Sequence, residues 1–259
     1  MKHLIIGSGT IGTATGIWLN ANKQDVIFCD IKLEILKKLK NKGYKVTKEI
    51  KQKGIDIYWI CTAEWDTEKI IKNLSKKVND PFIVIRSTMP PGETLKLAKK
   101  YKIKHFAHVP EFLRQKVAIS DIFNKDRIII GTKDKKIKSY LENIYNSETV
   151  EIIFTDTTTS ELIKYAANCW LSTQISYWNE IKKICDTFNV NPQMVANAAC
   201  LDKRISKYGT AMIGEPFGGF CFPKDMDALI KSFEKNNLDP ILLKAVRKVN
   251  NIIKKQKTK

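Results

Sequence analysis

The sequence contains few of the residues that build disulfide frameworks and metal sites. Its six cysteines include no Cys-x-x-Cys pair, and its three histidines, His3, His105 and His108, lie apart from any cysteine cluster. This spacing excludes a disulfide framework and a zinc site, so no metal is expected. No apolar run approaches the roughly 20 residues that cross a bilayer, and the sequence begins inside a strand rather than with a signal peptide. We therefore expect a soluble cytoplasmic protein with no membrane partner.

Arginine is also scarce, although the chain carries a net charge of +18. Only five of the 45 basic residues are arginine, and the others are lysines spread along the whole chain. Specific recognition of bases depends strongly on arginine, whereas dispersed lysines are typical of a solvated surface. We therefore expect no nucleic-acid partner, and the positive charge would instead help to attract an anionic cofactor and substrate.

The order of the apolar segments predicts an α/β fold followed by a helical region. Up to about residue 150, short apolar strands alternate with amphipathic helices, as in a doubly wound sheet. The predicted strands are 4–6, 26–29, 55–61, 82–85, 105–108 and 128–130. From about Thr155 the pattern is helical, with helices predicted over 159–188, 191–199 and 240–254. The sequence therefore predicts a Rossmann-like domain at residues 1–152 and an all-α central domain at residues 153–259.

The first predicted strand runs directly into the glycine-rich segment Gly7–Gly12 (GSGTIG), which opens a helix. This order is the dinucleotide-binding fingerprint in its proper structural context. Gly7 permits a tight turn, Gly9 lets a pyrophosphate approach the backbone, and Gly12 lets the helix pack closely on the strand. The segment therefore predicts a dinucleotide cofactor.

Two further features refine the cofactor prediction. Thr10 and Ile11 open the helix whose N-terminus would face the phosphates. Asp30 ends the second strand, where its carboxylate would accept hydrogen bonds from the adenosine ribose and repel a 2′-phosphate. This favours NAD over NADP, although Lys32 slightly weakens the preference.

Polar residues follow several predicted strands, at the edge where open α/β sheets bind their ligands. Thr62 follows the third strand, Thr88 the fourth and Glu111 the fifth. Thr88 is either a hydroxyl presented over the cofactor or an ordinary turn residue. Glu111 is either an acid or base for catalysis or a simple surface charge.

The octapeptide Gly218–Asp225 (GGFCFPKD) places one cysteine in a loop bounded by glycine and proline. Asp225 is predicted to be the N-cap of a short helix over 226–233. Because a helix N-terminus and Lys224 both favour the thiolate, the pKa of Cys221 is expected to be lowered. Cys221 is therefore a candidate nucleophile, and the alternative is a buried structural cysteine.

The long predicted helix carries Lys164 and Asn168 four residues apart, which places them on one face. A lysine and an amide on one face can stabilise a developing oxyanion or orient a water molecule. The alternative is a solvated lysine beside a packing asparagine.

Together these segments resemble the UDP-glucose/GDP-mannose dehydrogenases, whose motifs occur here in the same order over nearly the whole chain. The matching segments are Gly7–Gly12, Arg86–Gly92 (RSTMPPG), Pro110–Arg114 (PEFLR), Glu161–Asn168 (ELIKYAAN), Asn179–Glu180, Asp202–Ile205 (DKRI) and Gly218–Asp225. The resemblance implies oxidation of the C6 alcohol of a nucleotide sugar to a carboxylate, with two NAD used in turn. It also implies a homodimer formed through the central helices.

The resemblance assigns roles to individual residues. Cys221 would be the nucleophile that forms a thiohemiacetal and then a thioester. The residues that would support it are Lys164 (oxyanion), Asn168 (substrate and tetrahedral species), Asp225 (water), Glu111 (thioester hydrolysis) and Thr88 (water or nicotinamide). The residues that would bind ligands are Phe112, Leu113, Gly218 and Gly219 (nucleotide sugar), Lys224 (NAD) and Arg204 (the nucleotide site of the neighbouring subunit).

Three departures from the family pattern bear on function. Gln115 replaces a glutamate, the segment 207–216 matches poorly, and the sequence ends where family members continue into a second α/β domain that closes over the nucleotide. We therefore expect a short form with weak nucleotide-sugar binding. Two alternatives are an NAD-binding module without turnover and a hydroxyacid dehydrogenase of the 6-phosphogluconate type. The second alternative needs no cysteine nucleophile, so the Cys221 segment argues against it.

Overall fold

A computed structural model of the protein describes residues 1–257, which form two compact units, Met1–Lys164 and the residues from Tyr165 onward. The boundary lies inside one long helix, α7, which spans Thr157–Thr187. The domain boundary predicted at residue 152 stays a prediction.

The first unit is built on one eight-stranded sheet with strand order β3-β2-β1-β4-β5-β6-β7-β8. The strands are β1 (Lys2–Ile6), β2 (Asp25–Cys29), β3 (Lys45–Thr47), β4 (Ile57–Ile60), β5 (Phe82–Ile85), β6 (His105–His108), β7 (Arg127–Gly131) and β8 (Glu151–Thr155). All neighbours are parallel except β6 and β7, which pair antiparallel through His108 and Gly131. The order 3-2-1-4-5-6 is that of a Rossmann sheet, which confirms the predicted α/β fold.

Helices cover both faces of this sheet. They are α1 (Thr10–Ala21), α2 (Leu33–Asn41), α3 (Glu64–Lys77), α4 (Glu93–Lys100), α5 (Ala118–Phe123) and α6 (Lys135–Tyr145). The central strands β1 and β4 are buried along almost their whole length, because helices pack on both sides of them. One core contains Ile5, Phe28 and Trp59, and the opposite core contains Leu4, Tyr58 and Ile83. Successive strands are added on one side of β1 up to β3 and on its other side from β4 onward, so the carboxyl ends of the parallel strands β1 and β4 define the ligand edge.

The second unit is helical. It contains the rest of α7 with α8 (Pro192–Ala199), α9 (Cys221–Lys235) and α10 (Ile241–Lys257). Tyr165, Phe217, Met226 and Val246 form its main core. In the described residues no helix is long and apolar enough to cross a membrane.

One predicted boundary in this unit is wrong. Helix α9 begins at Cys221 rather than after Asp225, and its N-cap is Phe220. Pro223 lies in the first turn, where its missing N–H would have no helical partner, so the helix tolerates it. Asp225 therefore lies one turn inside the helix and is not its N-cap.

Candidate functional site

The glycine-rich segment forms a tight turn between β1 and α1. Gly7 has a φ of 87°, and a Cβ there would lie 2.6 Å from Thr62 Cγ2. A Cβ on Gly12 would lie 1.9 Å from the carbonyl oxygen of Gly7, so α1 can approach β1 only with glycine at that position. Gly9, in contrast, has nothing within 4 Å of its Cβ position. The space over Gly9 is therefore open to a ligand at the N-terminus of α1, where Thr10 and Ile11 form the first turn.

Asp30 lies beside this turn, directly after β2. Its Oδ2 accepts a hydrogen bond from the backbone N–H of Ser8 at 2.7 Å, and its Oδ1 accepts one from Lys32 N–H at 2.8 Å. These bonds hold the carboxylate next to the glycine turn with further lone pairs available. The hydroxyl oxygen of Thr62, at the end of β4, is buried and has no hydrogen-bond partner among the described residues. The open space over Gly9, the fixed acid and this unpartnered hydroxyl fit a dinucleotide.

Glu111 and Lys164 form a buried ion pair in the first unit. Lys164 Nζ donates to the backbone oxygen of Glu111 at 2.6 Å and to its Oε1 at 3.1 Å, while Glu111 Oε2 accepts from Leu113 N–H at 2.7 Å. The ring centroid of Phe112 lies 5.2 Å from Lys164 Nζ. Both charged side chains are buried. The alternatives that Glu111 is a surface charge and that Lys164 is a solvated lysine are therefore wrong.

Thr88 follows β5 and is half-buried. The preceding residue is fixed, because Ser87 Oγ donates to the backbone oxygen of Thr62 at 2.7 Å. The turn that continues from Thr88 is fixed by α7, since the carboxylate of Glu161 accepts N–H bonds from Gly92 at 2.6 Å and Thr94 at 2.8 Å.

Glu161 is a buried acid for which the sequence predicts no individual role. Burial raises its pKa to about 7, against the opposing effect of the hydrogen bonds that it accepts. One feature of the sequence points to Glu161: it lies three residues before Lys164 and so on the same side of α7.

A second group of predicted residues lies together in the helical unit. Asn168 Nδ2 donates to Asp225 Oδ2 at 2.6 Å, and both side chains are buried. Lys224 Nζ forms an ion pair with Asp225 Oδ1 at 2.6 Å. Cys221 is the first residue of α9, one turn before Asp225, and is half-buried. Gly218 and Gly219 lie just before it, and nothing lies within 4 Å of either Cβ position.

Arg204 lies outside this group. Its guanidinium forms an ion pair with Asp202 at 2.7 Å on an exposed turn, and 89% of its side-chain surface is accessible.

Three of the other cysteines have a raised pKa. Burial raises the pKa of Cys29, Cys61 and Cys169 to about 12, so these thiols stay protonated at neutral pH. In the described residues no group of three His, Cys, Asp or Glu side chains could hold a metal ion.

Comparison with known proteins gives a consistent result for both units. Residues 49–149 match the NAD binding domain of the UDP-glucose/GDP-mannose dehydrogenase family, and residues 158–252 match its central domain. The chain is 38% identical to a UDP-glucose 6-dehydrogenase of Rickettsia conorii, over 71% of this chain and 43% of that protein. It is 30% identical to a UDP-glucose 6-dehydrogenase of Campylobacter jejuni, over 98% of this chain and 73% of that protein.

The solved structures show the same relationship. A UDP-glucose dehydrogenase from Pyrobaculum islandicum superposes with a TM-score of 0.87 at 25% identity, over 97% of this chain and 68% of that chain. The matched region thus ranges from less than half to about three quarters of the length of these relatives. The first unit contains an NAD-binding domain, and the chain belongs to the UDP-glucose/GDP-mannose dehydrogenase family.

Proposed function

We propose that the protein is an NAD-dependent dehydrogenase that oxidises the C6 alcohol of a nucleotide sugar, such as UDP-glucose, to the carboxylate. The observation that carries this proposal is the position of Cys221 at the start of α9, one turn before the buried Asn168–Asp225 pair. A half-buried thiol at a helix N-terminus is suited to the capture of an aldehyde. The similarity to UDP-glucose dehydrogenases supports the substrate class.

The reaction would proceed in four steps. The first oxidation removes a hydride from C6 and a proton from its hydroxyl, which leaves an aldehyde. The Cys221 sulfur then bonds to the aldehyde carbon, and the oxygen takes up a proton to give a thiohemiacetal. The second oxidation removes the remaining hydride and the hydroxyl proton to give a thioester. Water finally cleaves the carbon–sulfur bond and releases the carboxylate and the thiol.

Bound NAD would accept one hydride in each oxidation, so two NAD are reduced for each sugar. The turn formed by Gly7, Gly9 and Gly12 would receive its pyrophosphate over Gly9, and Asp30 would bind its ribose. Thr62 would contact it from the end of β4. Lys224 is also proposed to contact NAD, and its ion pair with Asp225 would orient its ammonium group.

Lys164 and Glu111 would act on the reacting carbon in complementary ways. The ammonium of Lys164, held in a buried site, would stabilise negative charge that develops on the oxygen of C6. Glu111 would assist the attack of water on the thioester, and Thr88 would hold that water or contact the nicotinamide.

Asn168 and Asp225 would serve the covalent steps. The amide of Asn168 would position the substrate, and Asp225 would orient or activate water. Phe112, Leu113, Gly218 and Gly219 are proposed to contact the nucleotide sugar through their backbone.

We also propose that the protein forms a homodimer through α7. Trp170, Tyr177 and Ile184 lie seven residues apart and are more than half exposed, so they form an apolar stripe along one side of the helix. Trp178, the residue after Tyr177, is buried with Ala196 and Cys200 and so lies outside this stripe. Arg204 is exposed and would reach the nucleotide site of the partner subunit. Because Cys221 must remain a free thiol, we expect the protein to work in the reducing cytoplasm.

The test is to measure NADH formation with a panel of UDP- and GDP-sugars and to count the NADH formed per sugar. Two NADH with a carboxylate product support the proposal. One NADH would indicate a simple alcohol dehydrogenase, and NAD binding without NADH formation would indicate a binding module. Either of these results would overturn the proposed reaction.

A further inference from the structure

His108 is a buried, titratable residue at the carboxyl end of β6 that the proposed reaction does not use. Its Nε2 lies 3.2 Å from the backbone oxygen of Ser87, and its Nδ1 lies 2.7 Å from Ser160 Oγ. Burial and the positive charges of Arg86 and Lys164 lower the pKa of His108 to about 3. The ring is therefore neutral at physiological pH and carries one proton.

The surroundings of the ring decide which nitrogen carries that proton. The partner of Nε2 is a carbonyl oxygen, which can only accept, so Nε2 must be the protonated nitrogen. Nδ1 must then accept, and the Ser160 hydroxyl is its available donor. Ser160 Oγ also lies 2.8 Å from the carbonyl oxygen of Thr157, but this carbonyl belongs to the first turn of α7 and can accept a helical N–H instead.

These contacts join three elements that carry proposed catalytic residues. The carbonyl of Ser87 is part of the peptide bond that leads to Thr88, after β5. Ser160 lies one helical turn before Lys164 on α7. Gly131 permits this packing, because a Cβ there would lie 2.2 Å from Ser160 Oγ. His108 itself lies three residues before Glu111.

We propose that His108 is a positioning residue, whose Nε2–H donates to Ser87 and whose Nδ1 accepts from Ser160, so that Thr88 is held in register with Lys164 and Glu111. The proposal rests on the proposed function for the roles of those three residues. It predicts one ring tautomer and a loss of turnover without a loss of cofactor binding when the contacts are removed.

The first test is independent of catalysis. Long-range ¹H–¹⁵N NMR of the full chain, with the His108 signal identified from its absence in His108→Gln, should show a protonated Nε2 and an unprotonated Nδ1 from pH 6 to 8. In Ser160→Ala, the backbone amide of Thr88 should broaden through exchange between conformations. An imidazolium, a protonated Nδ1, or a Thr88 amide that stays sharp in Ser160→Ala would each overturn the proposal, whether or not the protein turns over sugar.

The second test uses turnover of UDP-glucose. His108→Leu and Ser160→Ala should lower kcat by about tenfold to a hundredfold, the effect of a small misplacement of catalytic groups, with the Kd for NAD and the KM for UDP-glucose changed less than about twofold. His108→Gln, whose amide can donate to Ser87, should recover most of kcat. A kcat within twofold of wild type in folded Ser160→Ala would contradict the positioning role.

His105 supplies the matched control for these variants. It is a buried histidine on the same strand, β6, and contacts Asp134 at 2.8 Å and Asp80 at 3.3 Å. His105→Gln should lower the unfolding midpoint and leave kcat unchanged. If it lowers kcat as much as His108→Leu does, the effect is one of general stability, and the proposal is wrong.

Discussion

The side-chain amide of Asn168 donates a 2.6 Å hydrogen bond to the carboxylate of Asp225, and both groups are buried. The two residues are 57 positions apart in the chain, on α7 and α9. This bond fixes the turn of α9 that follows Cys221 against α7. A buried carboxylate needs such a donor, because an unpaired charge in the interior is strongly unfavourable.

Asn168→Asp should therefore destabilise the protein in a pH-dependent way. Two carboxylates at this distance raise each other's pKa, so the folded state holds a proton that the unfolded chain has lost. Stability should then fall as pH rises above about 4, by about 3 kcal/mol at pH 8. Urea unfolding from pH 5 to 8 measures this slope.

The control is the exchanged pair Asn168→Asp with Asp225→Asn, which restores one donor and one acceptor. It should recover most of the lost free energy of unfolding while turnover stays low, because Asp225 is no longer an acid. If the exchanged pair is as unstable as Asn168→Asp, the hydrogen bond is not the source of the effect.

The glycine turn offers a pair of substitutions with opposite expectations. The Cβ of Gly9→Ala would meet no protein atom, so this variant should fold normally and lose NAD binding, since the methyl group would occupy the space of the pyrophosphate. The Cβ of Gly12→Ala would overlap the Gly7 carbonyl, and this variant should lose about 1–3 kcal/mol of stability. Calorimetric titration with NAD and urea unfolding distinguish the two effects.

The same titration tests the cofactor preference. Asp30 is held beside the turn by Ser8 and Lys32, and its charge should make NAD bind much more tightly than NADP. Asp30→Ala should reduce the difference in affinity between NAD and NADP. Equal affinities of the wild-type protein for the two cofactors would contradict the proposed role of Asp30.

Glu161 should give the protein a measurable dependence of stability on pH. Burial raises its pKa from 4.5 to about 7, so the folded state binds a proton that the unfolded chain releases between these values. The contribution of this group to stability is therefore greatest below about pH 4.5 and decreases as pH rises to 7, by at most about 3 kcal/mol. Glu161→Gln cannot titrate, so the difference in unfolding free energy between it and wild type should change over this range. If the unfolding free energies of the two proteins change with pH in parallel, the pKa of Glu161 is not raised in the folded state.

The fold was largely predictable from the sequence because the buried strands are continuous apolar runs. Strands β5 and β6 occur at the predicted residues, 82–85 and 105–108. The edge strand β3 was not predicted, because its three residues carry little apolar signal. Strand β8 is apolar at 152–154, but it begins at Glu151, just beyond the region to about residue 150 in which strands were expected. The start of α9 differs from the prediction because Pro223, which is typical of a loop, is also compatible with a first helical turn.

The site was predictable only in part. The residues of the glycine turn and Asp30 follow from spacing along one βαβ unit. The burial of Lys164 beside Glu111, and the bond between Asn168 and Asp225, depend on contacts between distant segments. Likewise, His108 has no sequence signature, since its role depends on Ser87 and Ser160, which lie on other elements.

The apolar stripe on α7 predicts that a single charge will separate the proposed dimer. Tyr177→Glu places a carboxylate in the middle of the stripe, between Trp170 and Ile184, and should convert the dimer to a folded monomer. Trp65→Glu is a matched control, because Trp65 is an exposed aromatic residue on α3 in the first unit. Light scattering measures the mass of each variant. A wild-type monomer, or a dimer that persists in Tyr177→Glu, would show that the stripe is not the interface.

The reactivity of Cys221 provides the most direct test of the covalent mechanism. Cys221 is half-buried at the N-terminus of α9, whereas burial holds the pKa of Cys29 and Cys61 at about 12. Iodoacetamide at pH 7.5 should therefore modify Cys221 faster than Cys29 or Cys61, as followed by peptide mass spectrometry. Cys221→Ser should bind NAD as wild type does, since it leaves the glycine turn unchanged, and should form no thioester. Release of carboxylate by Cys221→Ser at the wild-type rate would rule out the proposed role of the sulfur. Faster labelling of Cys29 than of Cys221 would contradict the activation of the Cys221 thiol.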